Sequence, residues 1–258
     1  MKSYMNQMQP RMTPAVKALL IAIGAGFLLQ LSGGKFFSVR PEIIFGFSPV
    51  SFLSGSIWQI LTYPFLHGGL NHILFNCLIL YMLGTELERR WGSQRFLKYY
   101  AVCAVGGALL QTLVWATTLL FSSESSELGT IPIIGASGAL YGLFMAFGKL
   151  HGRSQILVFF LFPMEARFFV MLLAGIEIVS AVFYSSSGVA HLVHLGGLGT
   201  GFLYLRWKGD NLSGGGGGFF RRRKAKMDAA ELRRRLKIIV REPSDPEKGG
   251  GKYPVTWN

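Results

Sequence analysis

Cysteine is almost absent from this chain. Of 258 residues only Cys77 and Cys103 carry a thiol, and both sit inside apolar runs rather than in a loop framework. That leaves no disulfide scaffold and no cysteine-built metal pair, and the two read as small buried hydrophobes. Also missing is a short apolar leader followed by a small-residue cleavage site, so the first apolar run is expected to remain as an anchor. Acidic residues number thirteen against twenty-six Lys and Arg, and the surplus is unevenly placed. From Arg206 onward fourteen Lys or Arg face six Asp or Glu, which leaves the rest of the chain only mildly basic. No internal repeat is evident, which disfavours a channel or a transporter built from related halves. What the chain has in plenty is apolar residues, half of the total, with a mean hydropathy of +0.38. That is too oily for a soluble domain of this size and points to a multi-spanning membrane protein.

A span needs roughly 20 apolar residues, fewer where a helix is tilted or partly covered. Six segments qualify, which makes the expected fold all-α: a polytopic six-helix bundle over residues 14–208, preceded by a cytoplasmic segment 1–13 and followed by a tail 209–258. The first follows Thr13-Pro14, a fitting N-cap and first-turn proline, and runs from Ala15 to about Leu31, where Ser32-Gly33-Gly34 is expected to stop it. The others are predicted over Leu70–Leu87, Phe96–Phe121, Ala136–Leu150, Met164–Tyr184 and Val189–Trp207. The connection from Lys35 to Gly69 is far longer than a usual interhelical loop. Its aromatics, among them Phe36, Phe45, Phe52 and Trp58, argue for order at the membrane interface. Ser154–Phe162 is apolar, too short to cross, and expected to pack at the membrane surface.

Positive charge collects at alternate ends of the spans: Lys2, Arg11 and Lys17, then Arg89, Arg90, Arg95 and Lys98, then Lys149, Arg153 and Arg167, then the tail. The intervening loops carry Glu124 and Glu127 without a cation, no charge over 185–190, and only Lys35 and Arg40 in the long connection. Both termini are therefore expected to be cytoplasmic. The tail opens on the flexible run Gly214–Gly218 and continues into Arg221-Arg222-Arg223-Lys224, suited to anionic lipid headgroups. Asp228–Val240 reads as a short basic helix and the remainder as disordered. Nucleic acid is not expected, because lipid lies nearer.

Three polar clusters interrupt the apolar runs. Ser137 follows Pro132 and Gly135, which break the chain, and heads an apolar run of about 15 residues, or ~22 Å of helix against a ~30 Å hydrocarbon core. Irregular backbone at that depth is tolerated only where it is buried in protein or lines a wet cavity. His194 is the best-placed base, since Gly197 and Gly201 share its helical face, while His191 one turn earlier is the rival. Gly138 and Gly142 flank Ser137 and Tyr141, so two small-residue faces can bring helix backbones close enough for a Ser–His hydrogen bond of about 3 Å. His72 and Asn76, four apart on the second span, could hold a developing oxyanion together with the Ser137 N–H. Glu177, midway along the fifth segment, is expected to be protonated and structural or gating rather than catalytic.

These residues fall in stretches that resemble the successive motifs of the rhomboid intramembrane serine proteases: Trp58-Gln-Ile-Leu-Thr-Tyr-Pro-Phe-Leu-His67-Gly-Gly, His72-Ile-Leu-Phe-Asn76, Glu88-Arg89-Arg90-Trp91-Gly92, Gly135-Ala-Ser137-Gly138 and His194-Leu-Gly-Gly197-Leu-Gly-Thr-Gly201. The resemblance runs in order from about Thr13 to Trp207. It implies a Ser137–His194 dyad without a third carboxylate, Tyr141 stacked on the histidine, and Ser137, His72 and Asn76 around the oxyanion. It also implies an interfacial first loop and a substrate gate at the fifth helix and the loop before the sixth. No metal or cofactor is implied. The expected partners are transmembrane protein substrates and the bilayer, and the expected location is a bacterial plasma membrane. The sequence departs from the family at Gln59, where Arg is usual, which removes a loop-anchoring ion pair. A non-catalytic relative that only binds transmembrane helices is the alternative, disfavoured by the intact serine and histidine.

Overall fold

The computed structural model describes residues 12–36, 40–121, 129–158, 162–183 and 188–208. The chain divides into two compact units, 1–215 and 216–258, and the second lies wholly outside the described residues. So do the expected cytoplasmic segment up to Arg11, Glu124 and Glu127, the glycine run, the basic cluster, the expected helix at Asp228–Val240, and residues 185–187 of the connection over 185–190.

The described part is mostly helical. Helix α1 spans Pro14–Phe36, and three short helices follow: α2 Pro41–Phe45, α3 Pro49–Leu53 and α4 Gln59–Thr62. Helix α5 covers Leu70–Trp91 with a π-turn at Leu80–Gly84, and α6 covers Ser93–Thr118. Helix α7 is Ser137–Leu150, α8 is Ala166–Phe183 and α9 is Gly188–Lys208. Between α7 and α8 two strands, β1 Gln155–Val158 and β2 Phe162–Glu165, pair antiparallel with Gln155 opposite Glu165.

Several expectations are corrected. The fold is not purely α, because Gln155-Ile-Leu-Val pairs as a strand. Met164 therefore belongs to β2 rather than to the fifth helix, which starts at Ala166. Ser32-Gly33-Gly34 does not stop α1. Glycine costs a helix only about 1 kcal/mol per residue and keeps its N–H donor, so α1 continues to Phe36. Helix α5 runs on from Leu87 to Trp91, ending at Gly92 with φ 80°, a left-handed conformation natural to glycine. Four helices, within α1 and in α5, α6 and α8, are long and apolar enough to cross a membrane among the described residues. Helix α7 is too short by that measure, with 14 residues, and α9 is diluted by its glycines and histidines. The crossing helices turn large apolar side chains outward, such as Leu29 (70% exposed), Phe75 (65%) and Val182 (68%). Water would make such a surface costly. This is an integral membrane protein.

What lies inside is α6, α7 and α9 packed together, with Tyr99, Cys103, Leu140, Leu143 and Val193 buried between them. Polar anchors fix the periphery. Glu88 is buried at the end of α5, and its two carboxylate oxygens accept from the N–H groups of Ala15 and Val16, each at 2.9 Å. Those are free donors in the first turn of α1, so a carboxylate 73 residues away completes that helix start. Ser93 Oγ donates to the same carboxylate at 2.6 Å, which ties the start of α6 to the same point. In the first connection Gln59 is buried: its Oε1 accepts from Ser48 N–H at 3.2 Å, and its Nε2 donates to the Ile43 and Ile44 carbonyls at 3.2 and 3.3 Å. Trp58 Nε1 donates to Ile44 O at 2.9 Å. The loop is therefore anchored at Gln59 by neutral hydrogen bonds.

Removal of the Glu88 carboxylate in Glu88→Ala leaves two buried N–H groups without partners, at a cost of about 3 kcal/mol. Thermal unfolding in detergent should show a lower midpoint for Glu88→Ala, with Glu88→Gln recovering only part of the difference.

Candidate active site

Three backbone contacts position Ser137 before its own helix begins. Phe47 and Ile133 form an isolated antiparallel bridge, with N–H to O distances of 2.9 and 2.7 Å, and Gly135 N–H donates to Tyr63 O at 3.0 Å. The segment ahead of the serine is thus pinned to the first connection. Gly135 has φ 119°, and a Cβ there would lie 2.7 Å from His72 Cε1. Only glycine suits both the conformation and the space.

Helices α7 and α9 then meet with nothing between them. A Cβ on Gly197 would fall onto the Gly138 carbonyl oxygen, one on Gly201 would come within 3.2 Å of Gly142 Cα, and one on Gly142 would lie 3.3 Å from Gly197 O and strike Cys103 Sγ of α6. The approach brings His194 Nε2 to 2.8 Å from Ser137 Oγ. Tyr141 stacks on the same imidazole, with ring centroids 4.3 Å apart and planes 8° from parallel. Tyr99, whose hydroxyl donates to Gly142 O at 2.6 Å, braces this seam from α6.

His72 and Asn76 stand on α5. Gly68 N–H donates to His72 Nδ1 at 3.2 Å, so Nδ1 is the acceptor and the neutral ring carries its hydrogen on Nε2. That Nε2 flanks the bare Gly135: a Cβ there would sit 2.9 Å from it and 3.7 Å from Ser137 Oγ. Asn76 is buried, and its Nδ2 donates to His72 O at 2.7 Å, leaving the amide a second N–H. His67 packs edge-on to His72 at 5.0 Å between centroids. Burial first, then the neighbouring His72, lowers its imidazole to about 4, so it is neutral at pH 7.

Glu177 is where the structure adds most. Its carboxylate is buried on α8, with Oε1 3.1 Å from His194 Nδ1 and Oε2 2.5 Å from His191 Nδ1, and the Tyr141 hydroxyl donates to Oε1. His191 therefore meets Glu177, while the ring nitrogen beside Ser137 belongs to His194. The donor atoms of Glu177, His191 and His194 lie within 4.8 Å of one another, a set that could hold a metal ion, and each is already engaged in a hydrogen bond. A sequence signal for this cluster existed: a lone intramembrane carboxylate needs partners, and two histidines three apart on a neighbouring helix can supply them.

The Rhomboid domain family model matches residues 54–209, more than half of the chain. The chain belongs to the rhomboid family. Among similar proteins, the rhomboid protease GluP of Bacillus subtilis is 31% identical over 179 residues, 68% of this chain and 31% of that protein. The mitochondrial RHOMBOID-like protein 12 of Arabidopsis thaliana is 29% identical over 152 residues, 57% of this chain and 45% of its own length. The rhomboid protease AarA of Providencia stuartii is 32% identical over 94 residues, 35% of this chain and 33% of that one. The chain thus spans between about a third and a half of the length of these relatives. The family match begins at Ser54 and so takes in α4 to α9, with Ser137, His194, His72, Asn76, Tyr141 and Glu177 among them.

Glycine-to-alanine substitutions separate the packing seam from the open faces. Gly197→Ala forces α9 off α7 and should cost about 3 kcal/mol, read as a lower unfolding midpoint in detergent. Gly199→Ala, where an added Cβ meets nothing within 4 Å, should leave the unfolding midpoint in detergent unchanged or slightly raised.

Proposed function

We propose that this rhomboid-family protein is an intramembrane serine endopeptidase that cleaves transmembrane segments of membrane-anchored proteins. The observation that carries the proposal is the 2.8 Å separation of Ser137 Oγ and His194 Nε2 at the head of a 14-residue helix. Such a helix is about 21 Å long against a ~30 Å core. If its far end reaches one membrane surface, the serine lies below the other, where a peptide bond of an unwound substrate helix could meet it. Ser137 Oγ attacks the scissile carbonyl and His194 Nε2 takes its proton, then gives it to the leaving amine. The oxyanion faces the Ser137 N–H, the Nε2–H of His72 and the Asn76 amide. Tyr141 holds the imidazole plane, and water completes hydrolysis of the acyl-enzyme. The glycines Gly138, Gly142, Gly197 and Gly201 keep the two helices at catalytic range.

The same reading places six helices across the membrane, with α7 and α9 crossing inside the ring of longer ones, both termini on the cytoplasmic side of a bacterial plasma membrane, and the short helices α2–α4 at the opposite interface. It gives the basic tail to anionic lipid, and it calls for no metal or cofactor.

The purified full chain in detergent, given a generic transmembrane substrate, should cleave it. Ser137→Ala and His194→Ala should both abolish cleavage, while His72→Ala and Asn76→Ala should each lower kcat by about 10²-fold. Cleavage that survives loss of Ser137 or His194, or never appears in the wild type, would overturn the proposal.

A further inference from the structure

We propose that Glu177 is a positioning residue for catalysis, so that the site works as Ser137–His194–Glu177 rather than as a pair. This rests on the proposed roles of Ser137 and His194 and departs from the protonated, structural role that the sequence suggested for Glu177. If Nε2 of His194 is to accept a proton, it must hold a lone pair, and the neutral ring must then carry its hydrogen on Nδ1. That N–H is largely buried, with the His194 side chain 17% exposed, and an unpaired buried donor is costly. The acceptor it has among the described residues is Glu177 Oε1 at 3.1 Å. The carboxylate thus selects the tautomer that leaves Nε2 free.

Its other contacts reinforce this. Oε1 also accepts from the Tyr141 hydroxyl, and the Tyr141 ring lies flat on His194, so Glu177 orients the imidazole both directly and through the tyrosine. Oε2 faces His191 Nδ1 at 2.5 Å. If both ring nitrogens donate, three donors converge on the two oxygens, the arrangement that suits an ionised, acceptor-only carboxylate. When Ser137 Oγ bonds the scissile carbon, its proton moves to His194 Nε2 and the imidazolium forms next to that negative charge. In surroundings of low dielectric, where the Glu177 side chain is 5% exposed, the attraction is stronger than it would be in water. The proton then passes from Nε2 to the departing nitrogen as the C–N bond breaks, and Glu177 ends the cycle with the charge it began with.

Glu177→Gln keeps the shape but offers one acceptor oxygen and an NH2 group, which cannot accept from an imidazole N–H. His194 then loses the neighbouring charge. In the detergent assay, kcat of Glu177→Gln should fall by about 10²-fold or more, with KM within about twofold of wild type. The drop should persist after normalisation to folded, monodisperse protein, and Glu177→Asp should recover part of it. A labelling rate of Ser137 by a fluorophosphonate probe should fall in parallel with kcat, because the probe needs the activated serine and no substrate binding. A purely structural glutamate would lower the folded fraction and the unfolding midpoint while leaving normalised kcat and labelling near wild type, and that result would overturn the inference. So would full activity of Glu177→Gln. Either outcome, with Ser137→Ala and His194→Ala still inactive, leaves the protease proposal standing and removes only the third residue. Cleavage by Ser137→Ala or His194→Ala would remove both.

Discussion

Contact between two helix backbones with no side chain between them is the constraint on which the rest depends. A Cβ on Gly197 of α9 would occupy the place of the Gly138 carbonyl oxygen on α7, and one on Gly138 would run into Val193 of α9, so the two helices meet in close contact. Serine and histidine are both short, and only at this separation can their polar atoms reach 2.8 Å. Where water is scarce, shape and dispersion contacts must hold helices together, and small residues maximise both. The glycines therefore set the geometry, and the chemistry follows from it. Tyr99 from α6 and Tyr141 from α7 brace the seam, one through a carbonyl and the other against the imidazole.

Three buried polar side chains among the described residues tie separate elements together. Gln59 links the short helices of the first connection, Glu88 links α1, α5 and α6, and Glu177 links α7, α8 and α9. A buried polar atom without a partner costs more than a bond returns, so these networks specify one arrangement among many apolar packings of similar energy. Gln59 shows that an ion pair is not needed for this. A neutral amide with one acceptor and two donors meets three backbone groups there.

The long apolar runs of α1, α5, α6 and α8 were legible in the sequence because each is a local property of some 20 residues. So was the cluster of glycines around Ser137 and His194, since residues three and four apart share a helical face. What depends on the rotation of one helix against another was not. Glu177 stands midway along a largely apolar helix, and no local pattern says that it faces His191 and His194. Likewise nothing near Pro14 announces that Glu88 will cap it. The bridge between Phe47 and Ile133 pairs two loops 86 positions apart, beyond the reach of periodicity. Gly33 and Gly34 within α1 illustrate the converse: a weak local preference yields to the rest of the helix.

The bond from Glu88 to the start of α1 also carries an order of assembly. Helix α1 is made before α5, yet its opening turn is finished by a side chain 73 residues later. Until α5 has been made, the N–H groups of Ala15 and Val16 must be satisfied by water or lipid headgroups, which holds that end of α1 at the membrane boundary. The first helix can settle into its final seat only after the second is in place. Locking α1 in place is therefore an event that belongs to the corner between α5 and α6.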